Sequence, residues 1–170
     1  MSRFLPFVLF FLFFIFESLF IELFPAKLFH KDWIIVPHFL VAGILLLTIY
    51  GNRKLGIWYG LLFGLLFDIV YTEIIGVYLF MIPLTAYFVS KMMKILQSNI
   101  IIATFVVLLG IALMEIVVFE MNFLIHVTSM PFPQYVSMRL LPTLVLNFIF
   151  IILFVYPLKK QFEKVNDQLA

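Results

Sequence analysis

The sequence of 170 residues contains no cysteine and very few charged residues. The lack of cysteine excludes disulfides, thiolate metal sites and cysteine nucleophiles. Only 12% of the residues are charged, whereas a soluble domain carries about 25%. The chain therefore has too few charges to cover the surface of a water-soluble protein, since large exposed apolar patches associate or aggregate.

Sequence motifs of common enzymes are missing as well. The chain has no Gly-x-Ser-x-Gly, no phosphate-binding loop and no His-Glu-x-x-His, which excludes the usual chemistry of hydrolases and ATPases. The three histidines, His30, His38 and His126, do not follow a metal-ligand spacing. We therefore expect no enzymatic activity, no catalytic residue, no metal site and no cofactor.

Apolar residues dominate what is present. They make up 65% of the chain, and the mean hydropathy is +1.21. Apolar runs long enough to span a bilayer recur along the sequence, which indicates an integral membrane protein. The net charge of +2 is small and the basic residues form no cluster, so a nucleic-acid partner is not expected.

Six transmembrane helices can be placed, which predicts an all-α compact bundle forming a single transmembrane domain over residues 1–170. The predicted spans are 4–24, 33–50, 55–71, 74–90, 99–125 and 139–158, followed by a short cytoplasmic tail at 159–170. The first apolar run could pass for a signal peptide, but no small-residue cleavage site follows it, so we expect it to be retained. The loops are too short to hold a soluble catalytic domain.

The distribution of Lys and Arg predicts the orientation of the bundle. If the N-terminus is cytoplasmic, eight basic residues lie inside and three outside, which favours both termini in the cytoplasm. The inner residues are Arg3, Arg53, Lys54, Lys91, Lys94, Lys159, Lys160 and Lys164, and the outer residues are Lys27, Lys31 and Arg139.

The third predicted span carries a series of small residues spaced by four. Gly56, Gly60 and Gly64 are followed at the same interval by Asp68. Residues four apart lie near one another on one helix face, so the glycines form a groove on which another backbone can pack closely. That backbone could belong to a helix of this chain or to a helix of a partner protein.

Acidic residues occur in pairs spaced by five, near the predicted outer ends of spans one, three and five. The pairs are Glu17 and Glu22, Asp68 and Glu73, and Glu115 and Glu120. Carboxylates are costly in lipid, so the first member of each pair should face the bundle interior, be protonated or be paired. The candidate partners of this intramembrane acidic cluster are His38 and Arg139. The cluster could fix helix packing, or it could belong to an ion or substrate pathway.

The run Gly60-Leu-Leu-Phe-Gly64-Leu-Leu-Phe-Asp68, followed by Gly76-Val-Tyr-Leu-Phe, resembles the MreD family of bacterial rod shape-determining membrane proteins. In that family a Gly-Leu-x-x-Asp stretch ends one span, and a glycine about eight residues later opens the next. Gly60, Gly64, Asp68 and Gly76 are the positions that match. The resemblance covers residues 60–87, and the overall length and short basic tail are also similar.

The resemblance implies a non-enzymatic role in the machinery for lateral cell-wall elongation. Its implied partners are the membrane-anchored scaffold MreC and, through it, the MreB filament and the glycan-synthesising enzymes of peptidoglycan synthesis. The main alternative is a small-molecule-binding subunit of an energy-coupling-factor type uptake transporter, since vitamin-uptake subunits share the general architecture. Such a subunit needs an outward pocket with convergent polar groups, which the outer carboxylates, His38 and Arg139 could supply.

Overall fold

A computed structural model describes residues 5–24, 32–72, 74–96 and 99–167. This part of the chain is all-helical apart from its connections, and it contains six helices. The helices are α1 (Leu5–Leu23), α2 (Phe39–Tyr50), α3 (Arg53–Tyr71), α4 (Val77–Ile95), α5 (Ile100–Leu124) and α6 (Phe132–Asp167). Asn52 and Asn99 cap α3 and α5, because their side-chain oxygens accept hydrogen bonds from the first free backbone N–H groups.

Helix α2 lies at the centre of the fold and differs from the predicted span 33–50. Residues 33–38 are not helical, because Pro37 lacks an N–H and disfavours helical geometry in the residue before it. The remaining 12 residues extend about 18 Å, much less than the ~30 Å hydrocarbon core. Nearly every residue of α2 is buried, as expected for a helix that is apolar on all sides.

Helix α6 begins earlier and ends later than the predicted span 139–158. It consists of an α-helical first turn (Phe132–Tyr135), a π-helical segment (Val136–Leu140) and a long α-helix (Leu141–Asp167). Pro131 and Pro133 lie at the start of this helix, because proline is well tolerated in the first turn. At its other end, the helix continues through the predicted polar tail, 159–170, as far as Asp167.

Helix α4 also differs from its predicted span, 74–90. It begins only after Gly76, whose φ of 120° is not helical, and it continues through Lys91 and Lys94 to Ile95. Lysine is a good helix former, so the residues around Lys91 and Lys94 extend the helix instead of ending it.

The surface of the bundle is apolar, as expected for a protein surrounded by lipid. Large hydrophobic side chains point outward from several helices, including Phe80 (65% exposed), Phe105 (58%) and Val145 (60%). Among the described residues, four helices are long and apolar enough to cross a membrane, namely α1, α3, α5 and α6. The chain is thus a multi-pass membrane protein.

The bundle has two chemically different ends. We call the end where α1, α3 and α5 finish and α2, α4 and α6 begin the acidic end, because it holds Glu17, Asp68 and Glu115. We call the opposite end the basic end, which carries Arg53, Lys54, Lys91, Lys94, Lys159, Lys160 and Lys164. The predicted basic residues Arg3, Lys27 and Lys31 lie outside the described residues.

Candidate functional site at the acidic end

Asp68, at the end of α3, caps the beginning of α4. Its carboxylate accepts hydrogen bonds from the backbone N–H groups of Gly76 (2.8 Å), Tyr78 (2.8 Å) and Leu79 (2.9 Å). The first N–H groups of a helix have no partner within the helix and carry a partial positive charge, which a carboxylate stabilises. Asp68 is fully buried, so these bonds satisfy groups that water does not reach.

The small-residue face of α3 packs against helices of this chain. A Cβ atom on Gly64 would lie 2.5 Å from the carbonyl oxygen of Tyr78, and one on Gly60 would lie 3.1 Å from the Cα of Pro83. A Cβ on Gly56 would overlap the side chain of Thr48 in α2. The glycines therefore let α3 approach α4 and α2 closely, and the Asp68 cap forms at the end of this contact.

We expect Gly→Ala substitutions to destabilise the bundle in the order Gly64, Gly60, Gly43. At Gly64 the added methyl meets backbone atoms, which cannot turn aside, and such overpacking costs about 1–3 kcal/mol. At Gly43 it meets only ring atoms of Phe10 and Phe13, at 3.0–3.2 Å, and side chains can shift. Alanine gains similar helix propensity at all three positions, so Gly43→Ala is the matched control. Thermal unfolding in detergent measures the order, and equal stability of Gly64→Ala and Gly43→Ala would refute it.

Glu17 of α1 caps the beginning of α2 in a similar way. Its Oε1 accepts a hydrogen bond from the backbone N–H of Leu40, at 2.7 Å, and the side chain is only 1% exposed. The central helix is thus capped by a carboxylate from a neighbouring helix, since no side chain at its own N-cap, His38, does so.

The non-helical segment before α2 is held by polar side chains of α6. Asn147 accepts a hydrogen bond from the N–H of His38 (2.8 Å) and donates one to the carbonyl oxygen of Val36 (3.0 Å). The hydroxyl of Thr143 accepts from the N–H of Val36, at 3.1 Å. Non-helical backbone is tolerated at membrane depth only where protein or water satisfies it, and these two side chains fulfil that condition.

Glu115 of α5 is the centre of a buried ion-pair network. It lies 2.7 Å from His38 Nε2, and Arg139 donates to it from Nε (3.1 Å) and Nη2 (3.3 Å). The hydroxyl of Tyr135 donates a further hydrogen bond, at 3.3 Å. Because Arg139 and Tyr135 belong to α6, the network joins α5, the start of α2 and the start of α6.

The three buried carboxylates thus have different partners. His38 and Arg139 both bond to Glu115, whereas Glu17 and Asp68 bond to backbone N–H groups at the beginnings of α2 and α4. The second members of the acidic pairs differ in position: Glu22 and Glu120 are exposed, and Glu73 lies outside the described residues. Sequence reasoning missed Tyr135, Thr143 and the role of Asn147, and only the polarity of Asn147 within an apolar span gave a signal.

Comparison with known proteins gives a consistent result. Residues 1–165 match the family described as rod shape-determining protein MreD. The chain is also 34% identical over 170 residues to the "Rod shape-determining protein MreD" of Bacillus subtilis (strain 168), covering 99% of this chain and 98% of that protein. No solved structure gives a significant match, so the predicted similarity to vitamin-uptake subunits receives no support.

Proposed function

The chain belongs to the MreD family of rod shape-determining membrane proteins, and we propose from that membership that it is a non-enzymatic part of the bacterial cell-shape machinery. In this proposal it binds an MreC-type scaffold and links that scaffold to lateral wall synthesis. The observation that carries the proposal is the family match over residues 1–165.

The arrangement of the buried carboxylates supports a role without catalysis. An acid or base in catalysis must reach a substrate proton, but Asp68 holds three backbone N–H groups and Glu115 is engaged by His38, Tyr135 and Arg139. These contacts organise helix ends, so the carboxylates favour a rigid scaffold over an intramembrane enzyme or a pathway for ions.

The partner surface in this proposal is the apolar perimeter and the short loops. A partner anchored by one helix can pack against exposed helix faces, such as the one with Phe80 and Phe88 on α4. The glycine face of α3 is not required for it, since α4 and α2 already cover that face. The wider partners, the MreB filament and the glycan-synthesising enzymes, would be reached through the scaffold.

Affinity purification in mild detergent tests the proposed partner. We expect an MreC-type scaffold to co-purify with the tagged chain. Gly64→Ala should lower the amounts of both proteins together, because its effect is on the folding of the chain itself. Purification of abundant folded chain without any such scaffold would contradict the proposed contact.

We further propose that the chain forms one membrane domain crossed six times, with both termini in the cytoplasm and the acidic end facing outward. The non-helical segment 33–38 and α2 together make one crossing, and α4 makes another. The basic end then lies at the cytoplasmic surface, in agreement with the positive-inside rule. This topology predicts opposite reporter signals from fusions after residue 170 and within residues 130–134. Cytoplasmic signals from both fusions would contradict it.

A vitamin-capturing subunit remains the alternative function, but no comparison favours it. Saturable, tight binding of a vitamin by the purified chain would be needed to support that role.

A further inference from the structure

A cavity of about 680 Å³ opens at the acidic end. This volume lies within the range of about 300–1,000 Å³ typical of small-molecule sites. Its walls come from most of the helices and include apolar residues, such as Phe67, Val77 and Val118. They also include the acidic and basic residues Glu17, His38, His126 and Arg139. The capping and ion-pair contacts described above leave some polar atoms of these side chains without a hydrogen bond.

Among the residues that the structure describes, two buried polar atoms on the cavity walls have no hydrogen-bond partner. They are Oε2 of Glu17 and Nδ1 of His38, on side chains that are 1% and 0% exposed. A buried polar atom without a partner is costly, and such atoms in native proteins call for an explanation. Each of these atoms belongs to a side chain whose other polar atom is already bonded.

The existing hydrogen bonds determine what these two atoms require. Glu115 accepts two bonds from Arg139, so it is an ionised acceptor, and His38 Nε2 must donate its hydrogen to it. In the neutral ring Nδ1 is then an acceptor. When Glu17 is ionised it too is only an acceptor, and both unpartnered atoms then call for a donor.

The charges and ring contacts of the cavity favour a cationic donor. Arg139 and Glu115 form an ion pair with each other, and a bound cation would balance the negative charge of an ionised Glu17. Tyr71, Tyr78 and Phe67 also line the cavity, and aromatic faces attract cations. A primary ammonium group carries three N–H donors and no acceptor, so it matches the site better than a hydroxyl or a phosphate.

We propose that this cavity binds an amphiphile with a primary ammonium head group, held by Glu17 and His38. The apolar walls contact its hydrocarbon part. Two sources of this chemistry are an aminophospholipid such as phosphatidylethanolamine and a free hydrophobic amine. The proposal goes beyond the role in cell shape and does not depend on the scaffold contact.

Native mass spectrometry of the full chain in an amine-free maltoside detergent tests the proposal. The probes are short-chain phosphatidylethanolamine, phosphatidylcholine with the same acyl chains, and hexylamine. Phosphatidylcholine is the matched probe, because its trimethylated nitrogen has no N–H donor. We expect one molecule of phosphatidylethanolamine to be retained about tenfold more tightly than phosphatidylcholine, as a charge-assisted hydrogen bond implies. Competition by hexylamine places both amines at one site, and retention of hexylamine alone identifies a free amine as the source.

Variants assign the binding to the cavity. Glu17→Gln should weaken retention about tenfold and remove the preference over phosphatidylcholine, since it removes the charge. Glu22→Gln, on the exposed part of the same helix, should change nothing. Asn122→Phe fills the cavity from α5 without removing either polar atom, so it should weaken both lipids and hexylamine. Far-UV circular dichroism verifies that each variant is folded.

Three results would overturn the proposal. The first is saturable and equal retention of the two phospholipids by the wild-type chain. The second is unchanged retention of the amines by both Glu17→Gln and Asn122→Phe. The third is the absence of saturable binding by phosphatidylethanolamine and hexylamine alike, which would mean that water alone serves the two polar atoms.

Discussion

Replacing Asp68 with alanine is expected to lower the stability of the bundle by about 3 kcal/mol or more. Hydrogen bonds to charged groups contribute about 1.5–3 kcal/mol each, and Asp68 receives three of them from the beginning of α4. The site is buried, so water cannot replace the lost acceptor. Unfolding by SDS in mixed micelles, followed by circular dichroism, measures the loss.

Asp68→Asn should have an intermediate effect, because an amide has one acceptor oxygen. Placed at the Oδ2 position, that oxygen keeps the bonds from Gly76 and Leu79 and loses the bond from Tyr78. Glu120→Ala is the control, since Glu120 is an exposed acid on α5. Amide hydrogen exchange gives a local readout: exchange at Gly76, Tyr78 and Leu79 should accelerate in Asp68→Ala. Unchanged exchange at these amides would rule out the cap.

Glu115→Gln is expected to cost about 3–5 kcal/mol, the usual effect of removing one partner of a buried ion pair. The substitution leaves the Arg139 guanidinium and the His38 N–H facing a neutral amide. Arg139→Gln in the same chain should recover part of the loss, because no charge is then left without its partner. The double-mutant cycle separates the pairwise coupling from the cost of each single substitution.

The exposed pair of Lys159 and Glu163 provides the control for Glu115. Their charged atoms are 3.7 Å apart, and the Glu163 side chain is 51% exposed. Glu163→Gln should therefore cost less than about 0.5 kcal/mol. If Glu115→Gln were equally mild, the buried network would contribute nothing special to the bundle.

The helical membrane character of the chain could be predicted because it depends on local composition. Apolar runs identify α1, α3 and α5 to within a few residues, since hydropathy acts at the scale of one span. The helix of the second span begins later than the apolar run, because Trp33 and its neighbours are apolar without being helical. Pro37 indicates that the helix begins only after it, whereas the hydropathy of residues 33–38 gives no sign of this boundary.

The contacts of the acidic end depend on residues far apart in the sequence. The sequence predicted that the deeper carboxylates need partners, and His38 and Arg139 were the available basic residues. It could not predict that both would bond to Glu115, which is 77 positions from His38 and 24 from Arg139. Nor could it predict that Glu17 and Asp68 would cap helices, because the free N–H groups at helix ends carry no sequence signal of their own.

The glycine series illustrates the same limit. Its spacing predicted a close backbone contact, most simply with another helix of this chain, but a helix of a partner was also compatible with it. Only the folded chain places Gly64 against Tyr78 and Gly60 against Pro83.

Cell shape after depletion of the chain tests its proposed role most directly. In a rod-shaped host without a second copy, depletion should make the cells round or swollen, and a plasmid copy of the wild-type gene should restore their width. Asp68→Ala should restore it only in proportion to the amount of folded protein in the membrane. Cells that keep a normal rod shape after complete loss of the chain would contradict the account.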